Sequence, residues 1–302
     1  MADAFYLDVS QSIQSESQVW YKNLQVLGTG GNAVTFLAVA TSGSFRGVLF
    51  AVKVFRKLSK PERRNSFLLE VKFLQQCDHP GVMRVFDQGV FQKQHPFFVA
   101  EYLPNTLFKV MRADDTSLVV KISFALQLLS ALTYLEQLAE PVVHRDIKPQ
   151  NIFVKGRSCV LGDFGLMKHV NAENDEDRAV LKESLGVGMP FRYRTPDQVA
   201  YLNGQAPITS KSDVFQLGLV LAELFTGRNP EEPTGEFADP IKLASIGTIP
   251  GSLSGGIVNV ISRMLVMDSN ARQSASQLLD PWEGIFRNAV TQAHALEGRA
   301  IW

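Results

Sequence analysis

Cysteine is scarce: Cys77 and Cys159 are the two in 302 residues, too few and too irregularly placed for a disulfide framework or a cysteine-built metal site. Both are expected to be free thiols in a reducing compartment. Neither charge is in excess, since thirty Lys and Arg residues balance thirty Asp and Glu residues. A general nucleic-acid binder would carry a basic footprint that this balance does not supply, so no nucleic-acid partner is expected. No apolar run is long enough to read as a membrane span, and the polar, acidic first twenty residues have no signal-peptide core. The expectation is a cytoplasmic chain without membrane insertion. Internal repeats are absent as well. What remains is a globular composition, 45% hydrophobic and 20% charged, long enough to bury one large domain or two lobes.

Residues 1–20 are expected to form a flexible polar arm, or to lie against the first lobe; they include Ser10-Gln11-Ser12-Ile13-Gln14-Ser15-Glu16-Ser17. Strand, glycine turn and strand follow over Leu24-Gln25-Val26-Leu27, Gly28-Thr29-Gly30-Gly31-Asn32-Ala33 and Val34 to Val39. A third strand, Leu49 to Phe55, places Lys53 in an apolar run. Pro61 to Gln76 reads as a helix opened by its proline, with Phe67, Leu68, Val71 and Leu74 on one stripe and Glu70 beside it. Val82 to Phe86 and Phe97 to Ala100 read as two further strands. After Glu101-Tyr102-Leu103-Pro104 the pattern turns helical: Leu118 to Leu138, then Asp213 to Phe225, Ile257 to Met267 and Ala275 to Leu279. Residues 166–195 lack periodicity, hold the acidic cluster Glu173-Asn174-Asp175-Glu176-Asp177 and are expected to be a lid or substrate loop.

The richest chemistry lies in His144-Arg145-Asp146-Ile147-Lys148-Pro149-Gln150-Asn151, followed by Asp163-Phe164-Gly165. Ile152-Phe153-Val154 and Cys159-Val160-Leu161 form a candidate hairpin that returns Asp163 to the side of Asn151. An amide and a carboxylate converging there suit a hard divalent cation. Asp146 is then left to orient or deprotonate a hydroxyl.

In order, these elements resemble those of eukaryotic-type (Hanks-type) serine/threonine protein kinases, over about residues 22–285. The resemblance implies an α+β fold of two lobes: a β-rich N-lobe with one main helix (21–100), a hinge (101–104) and a larger, mostly helical C-lobe (105–285). Residues 286–302 are left as a short tail. It implies ATP in the cleft between lobes, with Leu27, Gly28, Gly30, Gly31 and Ala33 in the phosphate loop, Thr35 and Ala51 above adenine, Phe153 below it, and Glu101 and Leu103 at the hinge. Ala100 stands at the gatekeeper position, usually a larger side chain, so either neighbours fill the space or an apolar recess remains.

Lys53, held by Glu70, would take the phosphates; Asp163 and Asn151 would bind Mg²⁺, with Mn²⁺ an alternative; Asp146 would be the catalytic aspartate, with Lys148 near the transferring phosphoryl. His144 and Phe164 would stack with Leu74, Asp213 would brace the catalytic loop, and Asp197 would pair with Arg272. Arg145 would receive a phosphate from the activation segment, on Ser184 or less readily Thr195, or else that segment is ordered constitutively or by a partner. The sequence departs from the family pattern at Ala33, Thr35, Thr195-Pro196-Asp197 and Pro190, where most members have a threonine that contacts the catalytic aspartate. The implied activity is ATP-dependent phosphorylation of Ser/Thr hydroxyls on proteins, including this chain, with any sensor left to a regulatory protein partner or the termini. Two alternatives stay open: a non-catalytic kinase-fold scaffold and a small-molecule kinase.

Overall fold

The computed structural model describes residues 7–113, 115–170, 175–185 and 192–297, and the chain divides into two compact units, 1–104 and 105–302. The first is sheet-rich with one main helix and the second is mostly helical, as the α+β two-lobed expectation requires.

The first unit is a six-stranded sheet: β1 (Ser12–Gln14), β2 (Trp20–Thr29), β3 (Ala33–Ala40), β4 (Leu49–Phe55), β5 (Val85–Phe91) and β6 (His95–Glu101), in spatial order β1-β2-β3-β4-β6-β5. Alternation makes β3 and β4 two-faced, broken only at the end of β4, where Phe55 is buried like Val54. Val34, Phe36, Ala38, Phe50, Val52 and Val54 point into one core, while Ala33, Thr35, Leu37, Ala51 and Lys53 share the other, half-covered face. Helix α1 (Pro61–Gln76) has the bounds expected for it and buries Phe67, Val71 and Leu74, whereas Leu68, expected on the same stripe, is exposed. The second of the two alternatives for the arm holds over residues 12–14: Ile13 is buried and β1 pairs with β2.

The second unit opens with β7 (Asn105–Thr106) and α2 (Leu107–Ala113), followed by α3 (Leu118–Glu136), whose N-cap Ser117 accepts a hydrogen bond from Val120 N–H. By length and composition α3 is apolar enough to cross a membrane; here Ile122, Phe124, Leu128, Leu129 and Leu132 are buried within this unit. β8 (Val142–Val143) leads into the His144 loop, and β9 (Ile152–Lys155) and β10 (Ser158–Leu161) form the expected hairpin. Then come β11 (Lys168–His169), α4 (Asp175–Leu185), α5 (Pro196–Leu202), α6 (Ser210–Thr226), α7 (Ser254–Met264) and α8 (Ala275–Glu297). Gly227 ends α6 in the left-handed conformation (φ +75°), where a side chain would be strained.

Two expectations are corrected. The segment read as a structureless loop contains α4, whose Val180 and Leu181 are buried, with Leu181 against Val143, Tyr201 and Ile208. The tail read from residue 286 continues α8, which runs through Pro281 to Glu297.

Candidate active site

In the first unit the ladder sets Thr35 opposite Lys53 and Lys53 opposite Phe98, with Leu37, Ala51 and Ala100 in the next row of the same face. Leu37 is therefore the direct neighbour of Ala51, and Thr35 lies on its diagonal. Lys53 Nζ donates to both Glu70 carboxylate oxygens, at 2.8 and 3.1 Å, and lies 5.6 Å from the Phe98 ring centre. Glu70 is 1% exposed, so the pair keeps a buried carboxylate from standing uncompensated. The glycine turn connects β2 to β3 through Gly30 N–H to the Ala33 carbonyl, 2.9 Å. No atom lies within 4 Å of where a Cβ would sit on Gly28 or Gly31, and neither has positive φ. Internal packing therefore does not demand glycine there; without side chains, these residues leave room for a phosphate to come close to the backbone. Arg56, which the sequence reading passed over, donates to the Gly30 carbonyl at 2.7 Å. Leu27 is exposed, whereas Ala100 is 1% exposed, so no solvent-open recess reaches its methyl group. Glu101 ends β6, with its N–H on the Arg84 carbonyl, and Leu103 is buried.

In the second unit the hairpin does what its spacing promised. Leu161 pairs with Ile152, and Gly162 N–H donates to the Asn151 carbonyl at 2.9 Å, which brings Asp163 next to Asn151. Asn151 Nδ2 donates to the Asp146 carbonyl and to Asp146 Oδ2, both at 2.8 Å. Lys148 Nζ donates to the same Oδ2 at 2.9 Å. Burial pushes the Asp146 carboxyl up and the Asp163 charge adds to this, while Lys148 and the Asn151 amide act the other way. With its amide nitrogen on Asp146, Asn151 leaves its amide oxygen for a cation. That oxygen and the Asp163 carboxylate are hard donors, and Mg²⁺ commonly takes one or two protein carboxylates and completes its shell with water and phosphate. The donor set thus fits the group. Among the described residues no cluster of three or more His, Cys, Asp or Glu offers a metal site elsewhere. Phe153, on β9, is half-buried opposite Val160 and Thr106.

The backbone of this loop is held by side chains. Asp213 accepts from His144 N–H (2.7 Å) and Arg145 N–H (2.9 Å), and burial nevertheless pushes its carboxyl up to about 7. His144 Nδ1 accepts from Asp146 N–H, and its ring lies 4.5 Å from that of Phe164. Arg145 and Asp163 adopt left-handed φ, +66° and +57°, a cost that persists where surroundings over-determine it. Arg272 meets Asp197 at 2.8 Å, as expected.

Arg145, the residue expected to receive a phosphate, here holds Asp177 of α4 through two bonds of 2.7 and 3.0 Å, and its Nε donates to the Leu166 carbonyl. Burial opposes charge on Asp177, but Arg145, with Lys168 and the Tyr201 hydroxyl, holds its carboxyl below the usual range. The Ser184 side chain and Pro190 lie outside the described residues. Thr195 is buried as the N-cap of α5. The sequence reading also missed Gln198 and Gln216, buried amides bonded to the same loop. A polar residue inside the apolar run Val214 to Leu221 was the available signal.

With that geometry in place, comparison with known proteins gives a consistent answer. The family model for the protein kinase domain matches residues 21–282. Wall-associated receptor kinase-like 1 of Arabidopsis thaliana is 30% identical over 213 residues, covering 68% of this chain and 27% of the relative. A putative mitogen-activated protein kinase kinase kinase 7-like protein of Drosophila melanogaster is 30% identical over 218 residues, 67% of this chain and 51% of its own. Human ephrin type-B receptor 3 is 26% identical over 254 residues, 82% and 24% respectively. The aligned region thus spans from about a quarter to half the length of these relatives.

Proposed function

Because the chain belongs to the protein kinase domain family, we propose that it transfers the terminal phosphoryl group of ATP to Ser and Thr hydroxyls of proteins, its own chain included. The observation that carries the reading is the convergence of Lys148 and Asn151 on one oxygen of Asp146, 2.9 and 2.8 Å away. Asp146 orients the acceptor hydroxyl and takes its proton, while Lys148, two residues on, offsets charge that develops on the transferring group. Lys53, fixed by Glu70, holds the ATP phosphates against the bare backbone of the glycine turn. A bound Mg²⁺ or Mn²⁺ would neutralise phosphate charge, and Asp163 and Asn151 would hold it. Most of the acceleration in such a site comes from positioning and electrostatics rather than from base strength. A protein acceptor, a cytoplasmic location and control by a partner protein belong to the same proposal.

The experiment is incubation with γ-labelled ATP, with and without Mg²⁺ or Mn²⁺, followed by phosphoamino acid analysis. Metal-dependent label on Ser or Thr is expected. Label on Tyr would overturn the acceptor assignment. No turnover on self or general protein acceptors would leave the non-catalytic scaffold, which the departures at Thr35 and Pro190 favour, and the small-molecule kinase, which metal-dependent ATP turnover with a non-protein acceptor would separate from it.

A further inference from the structure

Two glutamine side chains converge on the backbone that flanks Asp146. Gln216, on α6, is 2% exposed in an otherwise apolar stretch of helix, and Gln198, on α5, is fully buried. A buried amide in such surroundings is unfavourable unless its polar atoms are paired, and here they are. Gln216 Oε1 accepts from Ile147 N–H at 2.9 Å. Its Nε2 donates to the Tyr193 carbonyl at 2.8 Å and, at 3.4 Å, to the Arg145 carbonyl. Gln198 Nε2 donates to the same Arg145 carbonyl at 2.8 Å, and its Oε1 accepts from Thr195 N–H at 3.1 Å. The residues before and after Asp146 are therefore both tied to segment 193–195, through one amide on each of two helices.

The chemistry of the targets explains why both groups are amides. Ile147 and Thr195 offer N–H groups, whereas Arg145 and Tyr193 offer carbonyls. A neutral side chain that donates and accepts serves both; a carboxylate cannot donate, and an ammonium cannot accept. Both lone pairs of the Arg145 carbonyl are engaged at a residue in left-handed φ. Asp213 fixes the N–H groups of His144 and Arg145 but makes no bond beyond Arg145 in the loop, so it does not set the orientation of the Asp146–Ile147 peptide.

We propose that Gln198 and Gln216 are positioning residues: an amide clamp that holds the backbone on both sides of Asp146 and so fixes the direction of its carboxylate. The catalytic consequence rests on the phosphotransfer reading above; the clamp itself does not.

Gln216→Met keeps the approximate volume and removes the hydrogen bonds, while Gln216→Glu keeps the acceptor. In Gln216→Met, kcat is expected to fall about ten- to a hundredfold, the scale of a misplaced reacting group, with the ATP KM unchanged. Hydrogen exchange should quicken in the peptide spanning 144–151 and not in α3 or α7. Gln216→Glu, which keeps the acceptor for Ile147 N–H but sets an oxygen against the Tyr193 and Arg145 carbonyls, should not recover the wild-type values. Unchanged exchange at 144–151 in Gln216→Met would overturn the clamp, as would faster exchange spread evenly over α3, α6 and α7, which marks general destabilisation. An unchanged kcat despite local loosening would overturn the positioning role. A wild-type protein that turns over no ATP would sink the phosphotransfer reading instead, and the exchange result would still decide the clamp.

Discussion

Lys53 and Asp163 give the sharpest contrast at the scale of single residues: substituting Asp163 removes a proposed metal ligand, whereas substituting Lys53 removes a proposed phosphate contact and also the cation bonded to the buried Glu70 carboxylate. Asp163→Ala is expected to abolish metal-dependent labelling, and Lys53→Ala to reduce kcat/KM strongly, with circular dichroism of both variants unchanged. Labelling near the wild-type level in Asp163→Ala would mean that the assigned metal site is wrong. Ala100 is a different case. The sequence leaves two readings, a filled wall or an apolar recess, and Ala100 is sealed from solvent between Ala51 and Val85, which excludes an open recess but not a closed void. If the wall is filled, Ala100→Phe should overpack the site and lower stability by about 1–3 kcal/mol, read from the urea midpoint at constant slope. A stability equal to wild type would restore the recess.

Among the elements, α4 shows both what the sequence revealed and what it concealed. The loop from His144 to Asn151 and the β9–β10 hairpin were legible because their residue types are chemically restrictive and their spacing is short. α4 was not, because its helical face has few apolar residues and much of its attachment comes from one carboxylate, Asp177, whose partner lies 32 residues away. No local pattern reports a distant ion pair. Gln216 hid in the same way, since a helix reads as apolar whether or not one position is an amide. The continuation of α8 was missed because Pro281 reads as a stop.

Breaking a buried ion pair from one side leaves the other charge uncompensated, a loss of about 3–5 kcal/mol. Asp177→Ala is accordingly expected to release α4, with faster proteolysis and hydrogen exchange over 175–185. The pH dependence follows from the lowered carboxyl of Asp177. Its contribution is present above the unfolded pKa and is lost as pH falls through the folded one, so α4 should loosen on acidification below the ordinary carboxylate range. Because Asp177 already occupies Arg145, a phosphate on Ser184 is not needed to fill that site. Equal activity of phosphatase-treated and untreated protein is the expected result, and a large loss on phosphatase treatment would show that phosphate has a role that Asp177 does not supply.

Across the molecule, the two units were foreseeable from the change of pattern after Pro104, and each has an internal anchor that the sequence suggested: Lys53–Glu70 in the first and Asp197–Arg272 in the second. The energetic role of Asp213 was less legible, since spacing identifies a brace but says nothing of the cost of burying it. Its two backbone hydrogen bonds and Arg145 favour the charged form; burial, with a smaller contribution from Asp197, wins and raises the carboxyl to about 7. A folded pKa above the unfolded one means that the native state binds the extra proton between the two values. The stability this lends is complete below the unfolded pKa, declines as pH rises through about 7 and is gone above it. The slope has the opposite sign to that from Asp177 and acts in a higher pH window. Urea unfolding of the wild-type protein between mildly acidic and mildly basic pH should therefore show a midpoint that falls toward neutrality and then levels. Asp213→Asn, which cannot titrate, should be less stable overall, because its amide N–H₂ would face one of the backbone donors, yet it should lack that falling limb. If the two proteins keep parallel profiles, Asp213 stays ionised throughout, and its two backbone hydrogen bonds outweigh its burial.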